Sequence, residues 1–211
     1  MRNNYKTPVL FVVTTLLAFD CSAADLKPVD LKFMLRGYCY AASPSNIAKL
    51  YGIDEGKNVP NPVSKISQGA EGELSLVALP DEEVPFDKEY RGFRLLLINR
   101  TAAETNLLSC DTRLPIVQEA LEGEGIWRPV EYLPSSWCGN SYFCITLPAG
   151  HYWEFAAPRY SGKNKVLMRF ALHIPGEPPV YSKEFEGSVN PEQFTISQEH
   201  TPANLMDPYN E

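Results

Sequence analysis

After residue 72 the chain breaks into many short runs rich in strand-forming residues, some of which alternate apolar and polar positions at the two-residue period of a half-buried β-strand. The cleanest case is 165–174, where Val166, Met168, Phe170, Leu172 and Ile174 share one face while Arg169 and His173 point the other way. Runs of this kind recur at 73–79, 90–99, 106–110, 114–121, 126–133, 141–147, 151–157, 165–174 and 180–185, punctuated by Gly, Pro, Asp and Asn. Short strands at roughly ten-residue spacing, with no long helical period between them, predict an all-β fold. The expected form is a single antiparallel β-sandwich, of immunoglobulin-like or jelly-roll type, over 73–196. Residues 25–72 read as an irregular N-terminal segment, broken by Pro28, Pro44, Pro60 and Pro62, with one short helical stretch at 45–51. Residues 197–211 have little to bury and predict a mobile C-terminal tail.

Two turns imply particular pairings. Pro148-Ala149-Gly150 suits a three-residue hairpin loop, which sets Leu147 opposite His151, Ile145 opposite Trp153 and Phe143 opposite Phe155. That register gathers the apolar side chains on one face and leaves Cys144, Thr146, Tyr152 and Glu154 on the other. A second hairpin turning at 122–125 pairs Leu121 with Ile126, Glu119 with Arg128 and Val117 with Val130. Pro129 cannot donate to a ladder, which makes the strand that carries it an edge.

The N-terminus has a different pattern. Arg2 and Lys6 precede an uncharged, mostly apolar run at 8–19, closed by Cys21-Ser22-Ala23-Ala24. A basic start, a short apolar core and a small-residue exit are the pattern of a secretory signal peptide, here residues 1–24. The run is too short for a membrane-crossing helix, which needs about 20 residues. Cleavage after Ala23 or Ala24 predicts a secreted or periplasmic protein of about 187 residues, room for one domain. Cys21 offers an alternative, acylation and a lipid anchor in the cell envelope, although Phe19 and Asp20 before it fit that processing poorly.

Export changes the reading of the cysteines. Four remain after cleavage, Cys39, Cys110, Cys138 and Cys144, and an oxidising compartment predicts two disulfides among them with pairing left open. Metal binding is not expected, because no CxxC pair occurs and His151, His173 and His200 are scattered. The net charge of −7, with no basic run, excludes nucleic acid as a partner class.

Candidate chemistry is sparse. Glu119, Glu131 and Glu154 lie on predicted strands and could in principle supply the paired carboxylates of a secreted hydrolase. Ser135-Ser136 with His151, and Cys144 with His151 or His173, supply the residue types of nucleophilic catalysis without the motifs. No phosphate loop, dinucleotide fingerprint, zinc-protease or calcium motif occurs, so no cofactor is expected. Asn99-Arg100-Thr101 is a formal glycosylation sequon.

One density stands out. Nine of the 24 aromatic residues, including all three tryptophans, fall within 127–160. Phe143, Trp153 and Phe155 belong to the predicted core, whereas Trp127, Tyr132, Trp137, Tyr142 and Tyr152 do not. Rings outside a core stack on sugars or anchor proteins. These five are the candidate ligand-binding residues of a non-catalytic exported protein whose partner is a carbohydrate or another protein. A paired-carboxylate hydrolase and a lipid-anchored structural envelope protein are the competing readings.

Overall fold

A computed structural model describes residues 26–44, 58–136 and 138–195. The signal-like run, Cys21, the helical stretch at 45–51, Trp137, His200 and the 197–211 tail lie outside these residues. The described chain is mostly β. In order, the strands are β1 (Leu35–Arg36), β2 (Asn61–Pro62), β3 (Leu74–Phe86), β4 (Tyr90–Asn99), β5 (Thr105–Cys110), β6 (Ile116–Glu122) and β7 (Ile126–Pro129). They continue with β8 (Glu131–Tyr132), β9 (Tyr142–Leu147), β10 (His151–Pro158), β11 (Asn164–Leu172), β12 (Val180–Tyr181) and β13 (Phe185–Val189). Among the described residues no helix is long and apolar enough to cross a membrane.

Two antiparallel sheets dominate. The first has strand order β2-β10-β4-β3, and the second runs β12-β11-β6-β7 with β13 also on β11. Their inner faces share one hydrophobic cluster. Phe93, Leu95, Leu97, Trp153 and Phe155 come from the first sheet, and Ile116, Ala120, Met168, Phe170 and Leu172 from the second. Phe93 meets Phe170 and Phe185 edge-on, with centroids at 6.1 and 5.3 Å, a geometry that aromatic quadrupoles favour. This arrangement is compatible with a β-sandwich.

The N-terminal segment is irregular in hydrogen bonding but not in burial. Val29, Leu31, Leu35, Cys39 and Ala41 all belong to the shared core. The segment touches successive strands through single bridges, Lys27 to Tyr90, Val29 to Tyr160 and Tyr40 to Arg113, and through the short parallel pair β1–β8. Trp153 Nε1 donates to the Ala42 carbonyl at 3.1 Å, so the largest core side chain satisfies its one polar atom on this segment.

Both predicted hairpins need correction. β9 and β10 do not pair with each other: β9 pairs with β5, and β10 with β4 and β2. The turn between them bonds sideways, with the Gly150 N–H donating to the Asn99 carbonyl and the Val63 N–H to the Gly150 carbonyl, both at 2.9 Å. Gly150 supplies the positive φ of 66° that this corner requires. Ile145, Leu147, Trp153 and Phe155 reach the same core either way, so periodicity alone could not distinguish a hairpin from a crossing between ladders.

In the second hairpin the ladder is shifted by one residue. A three-residue loop at 123–125 pairs Glu122 with Ile126, Leu121 with Trp127, Ala120 with Arg128 and Glu119 with Pro129. Arg128 therefore binds Glu122 at 2.8 Å rather than Glu119. β7 does end the sheet order, which places Pro129 on an edge. The 126–133 run divides at Val130 into β7 and β8, and the 180–185 run gives way to β12 and β13, both paired with β11.

Candidate binding surface

The inward turn of Met168, Phe170 and Leu172 forces Leu167, Arg169 and Ala171 onto the outer face of the second sheet. Pairing adds Glu119 opposite Arg169, Tyr181 opposite Ala171, and Trp127 opposite Leu121. The Arg169 guanidinium carbon lies 4.3 Å from the Trp127 ring centre and 3.8 Å from that of Tyr181. Its Nε donates to Glu119 Oε2 at 2.8 Å. A planar cation is thus clamped between two π faces and fixed in rotation by a carboxylate.

Each cation–π contact contributes about 0.5–2 kcal/mol, and the charge-assisted hydrogen bond sets the fork's direction. Arg169 and Glu119 are largely covered, whereas Tyr181 is 44% exposed, and Leu167 is also open to solvent. The result is a pre-ordered aromatic patch at which Tyr181 and Leu167 reach solvent.

The outer face of the first sheet is closed. Leu96, Ile98 and Tyr152 form a second, smaller apolar cluster there, covered by Val63 and Ile66 and flanked by Val77 and Leu79. Tyr152 retains only 4% of its surface and is therefore not a surface residue, contrary to the sequence expectation. The covering segment is tied down by Arg100, whose Nε donates to the Gln68 carbonyl at 3.0 Å. Nearby, Arg94 grips Glu154 through two hydrogen bonds of 3.0 and 2.9 Å and also reaches Glu82.

The other predicted aromatics are dispersed. Tyr142, 40% exposed, lies on the outer side of the β5–β9 ladder beside Leu108, and its hydroxyl accepts the Ser136 N–H at 2.8 Å. Tyr132 is half-buried on β8, and partial burial raises its phenol above the ordinary value, against the pull of Arg36 and Arg113. Arg113 in turn stacks on Tyr40 at 5.1 Å. Trp127 is thus the only one of the described candidates on the second sheet's outer face. Arg169 was legible as an outward residue from its alternation, but Tyr181 lies beyond the aromatic-rich window and joins Trp127 only through β11.

Among the described residues, the candidate carboxylates and the Ser136–His151 pair stand apart. Glu119 is spent on Arg169, Glu154 projects from the opposite sheet, and Glu131 is buried in the interior. The Ser136 hydroxyl bonds Ser141 at 3.0 Å, while the His151 ring meets the Ala149 carbonyl at 2.8 Å, so neither addresses the other. Asn99 is fully buried, with its amide donating to the Ala103 and Leu147 carbonyls, which closes the glycosylation sequon in the folded chain.

The predicted disulfides are also absent: Cys39, Cys110, Cys138 and Cys144 are free thiols. Cys39 is sealed in the core, where burial first and the Glu131 carboxylate second push its thiol well up. In the β5–β9 register Cys110 faces Tyr142 and Cys144 faces Leu108, so the two cysteines are diagonal neighbours. Such diagonals span about 7–8 Å, whereas a disulfide needs Cα atoms within about 7 Å. Among the described residues, no group of three or more His, Cys, Asp or Glu side chains is placed to hold a metal.

No family model matches the chain, and neither a curated protein nor a solved structure is significantly similar to it.

Proposed function

We propose that this chain is an exported, non-catalytic binding protein that contacts a polypeptide partner through the outer face of its second sheet. The Arg169 clamp between Trp127 and Tyr181 carries the reading. Trp, Tyr and Arg dominate the energetics of protein interfaces because they offer large contact area, and here they are already ordered before any partner arrives. Leu167, on the same face of β11 as Arg169, extends the patch with exposed aliphatic surface. The export half of the proposal rests on the Arg2-to-Ala24 pattern.

A protein is favoured over a sugar because each ring turns a face to the guanidinium, which leaves edges and aliphatic flanks to present. The test compares the wild-type chain with a Trp127→Ala/Tyr181→Ala double variant. Both are assayed for retention of cell-envelope polypeptides, confirmed with purified components, and for binding to a glycan array. The expected result is a retained polypeptide lost with the double variant but kept by Leu108→Ala on the distant β5–β9 face. Glycan binding lost with the same variant would transfer the site to carbohydrate. Retention insensitive to the double variant would overturn the proposal.

A further inference from the structure

Glu131 is the one buried carboxylate in the described interior with no cation against it. It sits on β8 with 1% of its surface exposed. Three separate parts of the chain converge on it. From β6, the Gln118 N–H donates to Oε2 at 2.8 Å, and the Gln118 amide approaches Oε1 at 3.4 Å. From the connection after β10, the Tyr160 hydroxyl donates to Oε1 at 2.9 Å. From the N-terminal segment, the Tyr38 hydroxyl faces the carboxyl and also receives the Gln118 amide at 3.5 Å. Cys39, on the same segment, is near enough to feel its charge. Every titratable neighbour is thus a phenol or a thiol, neutral near pH 7.

The same residues hold the N-terminal segment in place. Leu35 pairs directly with Glu131, and the Gly37 N–H donates to the Tyr132 carbonyl at 2.8 Å. Val29 bridges Tyr160, and Tyr38 packs edge-on against Phe86 at 5.1 Å. The carboxyl is therefore the polar centre of the attachment between this segment and the sheets.

We propose that Glu131 acts as a proton-operated latch, which holds the N-terminal segment against the sheets when protonated and loosens it when ionised. Protonated, the carboxyl is neutral and its O–H can donate to a phenol oxygen that remains an acceptor. Ionised, it is an anion stripped of water and stabilised only by neutral donors. Burial outweighs those hydrogen bonds and raises the Glu131 pKa to about 7. The unfolded chain releases this proton near the ordinary value of 4.5. The folded segment is therefore favoured most strongly below pH 4.5, and that advantage is lost as pH rises to about 7.

Amide hydrogen exchange on the full chain, expressed as protection factors at pH 5, 6, 7 and 8, tests the latch. Protection of the Gly37 and Ala41 amides should fall by about a hundredfold between pH 5 and 8, tenfold for each of the more than two pH units that separate the two states. In Glu131→Gln it should stay flat. Tyr160→Phe, which removes a donor but keeps the ring, provides the second arm and should move the Glu131 carboxyl titration, followed by NMR, to higher pH. Flat protection in the wild-type chain would overturn the latch. So would a fall shared equally by the Leu95 and Leu97 amides of β4, or a Tyr160→Phe titration unmoved or displaced downward.

Discussion

The two sheets have similar inner faces and opposite outer ones. On the first sheet, Leu96, Ile98 and Tyr152 point away from the main core, yet Val63 and Ile66 close over them and make a second small core. On the second sheet, Trp127, Arg169 and Tyr181 occupy the equivalent outward positions, with Arg169 held between the two rings and Tyr181 left open to solvent. The same strand alternation thus yields a structural layer on one side and a displayed surface on the other. What decides is the chain between β2 and β3: Arg100 anchors residues 66–71 to the first sheet through the Ile66 and Gln68 carbonyls and Glu71. Aromatic content by itself does not tell a displayed ring from a buried one; the segment packed over it does.

The sharpest way to break this comparison is Tyr152→Ala. If the first sheet's outer face is a true core, the change should cost about 3 kcal/mol in denaturant unfolding, as for other buried aromatics, and should leave partner binding unaffected once folded. A loss below about 1 kcal/mol would mean that the cover contributes little. Arg169→Ala comes next, with an expected cost of about 1–2 kcal/mol, because it strands the mostly covered Glu119 carboxylate without its cation. Pairing it with Glu119→Gln in a double-mutant cycle should recover part of that loss. Tyr181→Ala should have the smallest effect on stability, about 0.5 kcal/mol or less, while weakening partner affinity tenfold or more in titration calorimetry. If stability fell as far as for Tyr152→Ala, the two faces would not differ in kind.

Much of the fold could be read from alternation. The β4 run at 90–99 coincides with the observed strand, and the inward set of β11 is the one the period selected. Strand partners were not legible, and the reason is specific. Ile145 and Trp153 are equally buried whether β9 pairs with β10 or with β5, so no pattern of side chains records the choice. The one-residue shift between β6 and β7 is similar, since a pair of glycines permits loops of either length. The candidate surface was half legible: Trp127 and the outward Arg169 were visible, but Tyr181 reaches Arg169 only because β12 lies along β11. The burial of Tyr152 was hidden for the converse reason, a cover supplied by a proline-bearing stretch with no strand period.

By itself the sequence determined which side chains of β11 face inward, because burying one face of a two-residue repeat leaves no other arrangement. It also determined the all-β class. Only the tertiary structure decided which outward face would be covered and which displayed, and that a glutamate on a short strand would end in the interior among phenols. Those outcomes depend on where distant segments lie, and contacts between residues far apart in the chain leave no local period to read.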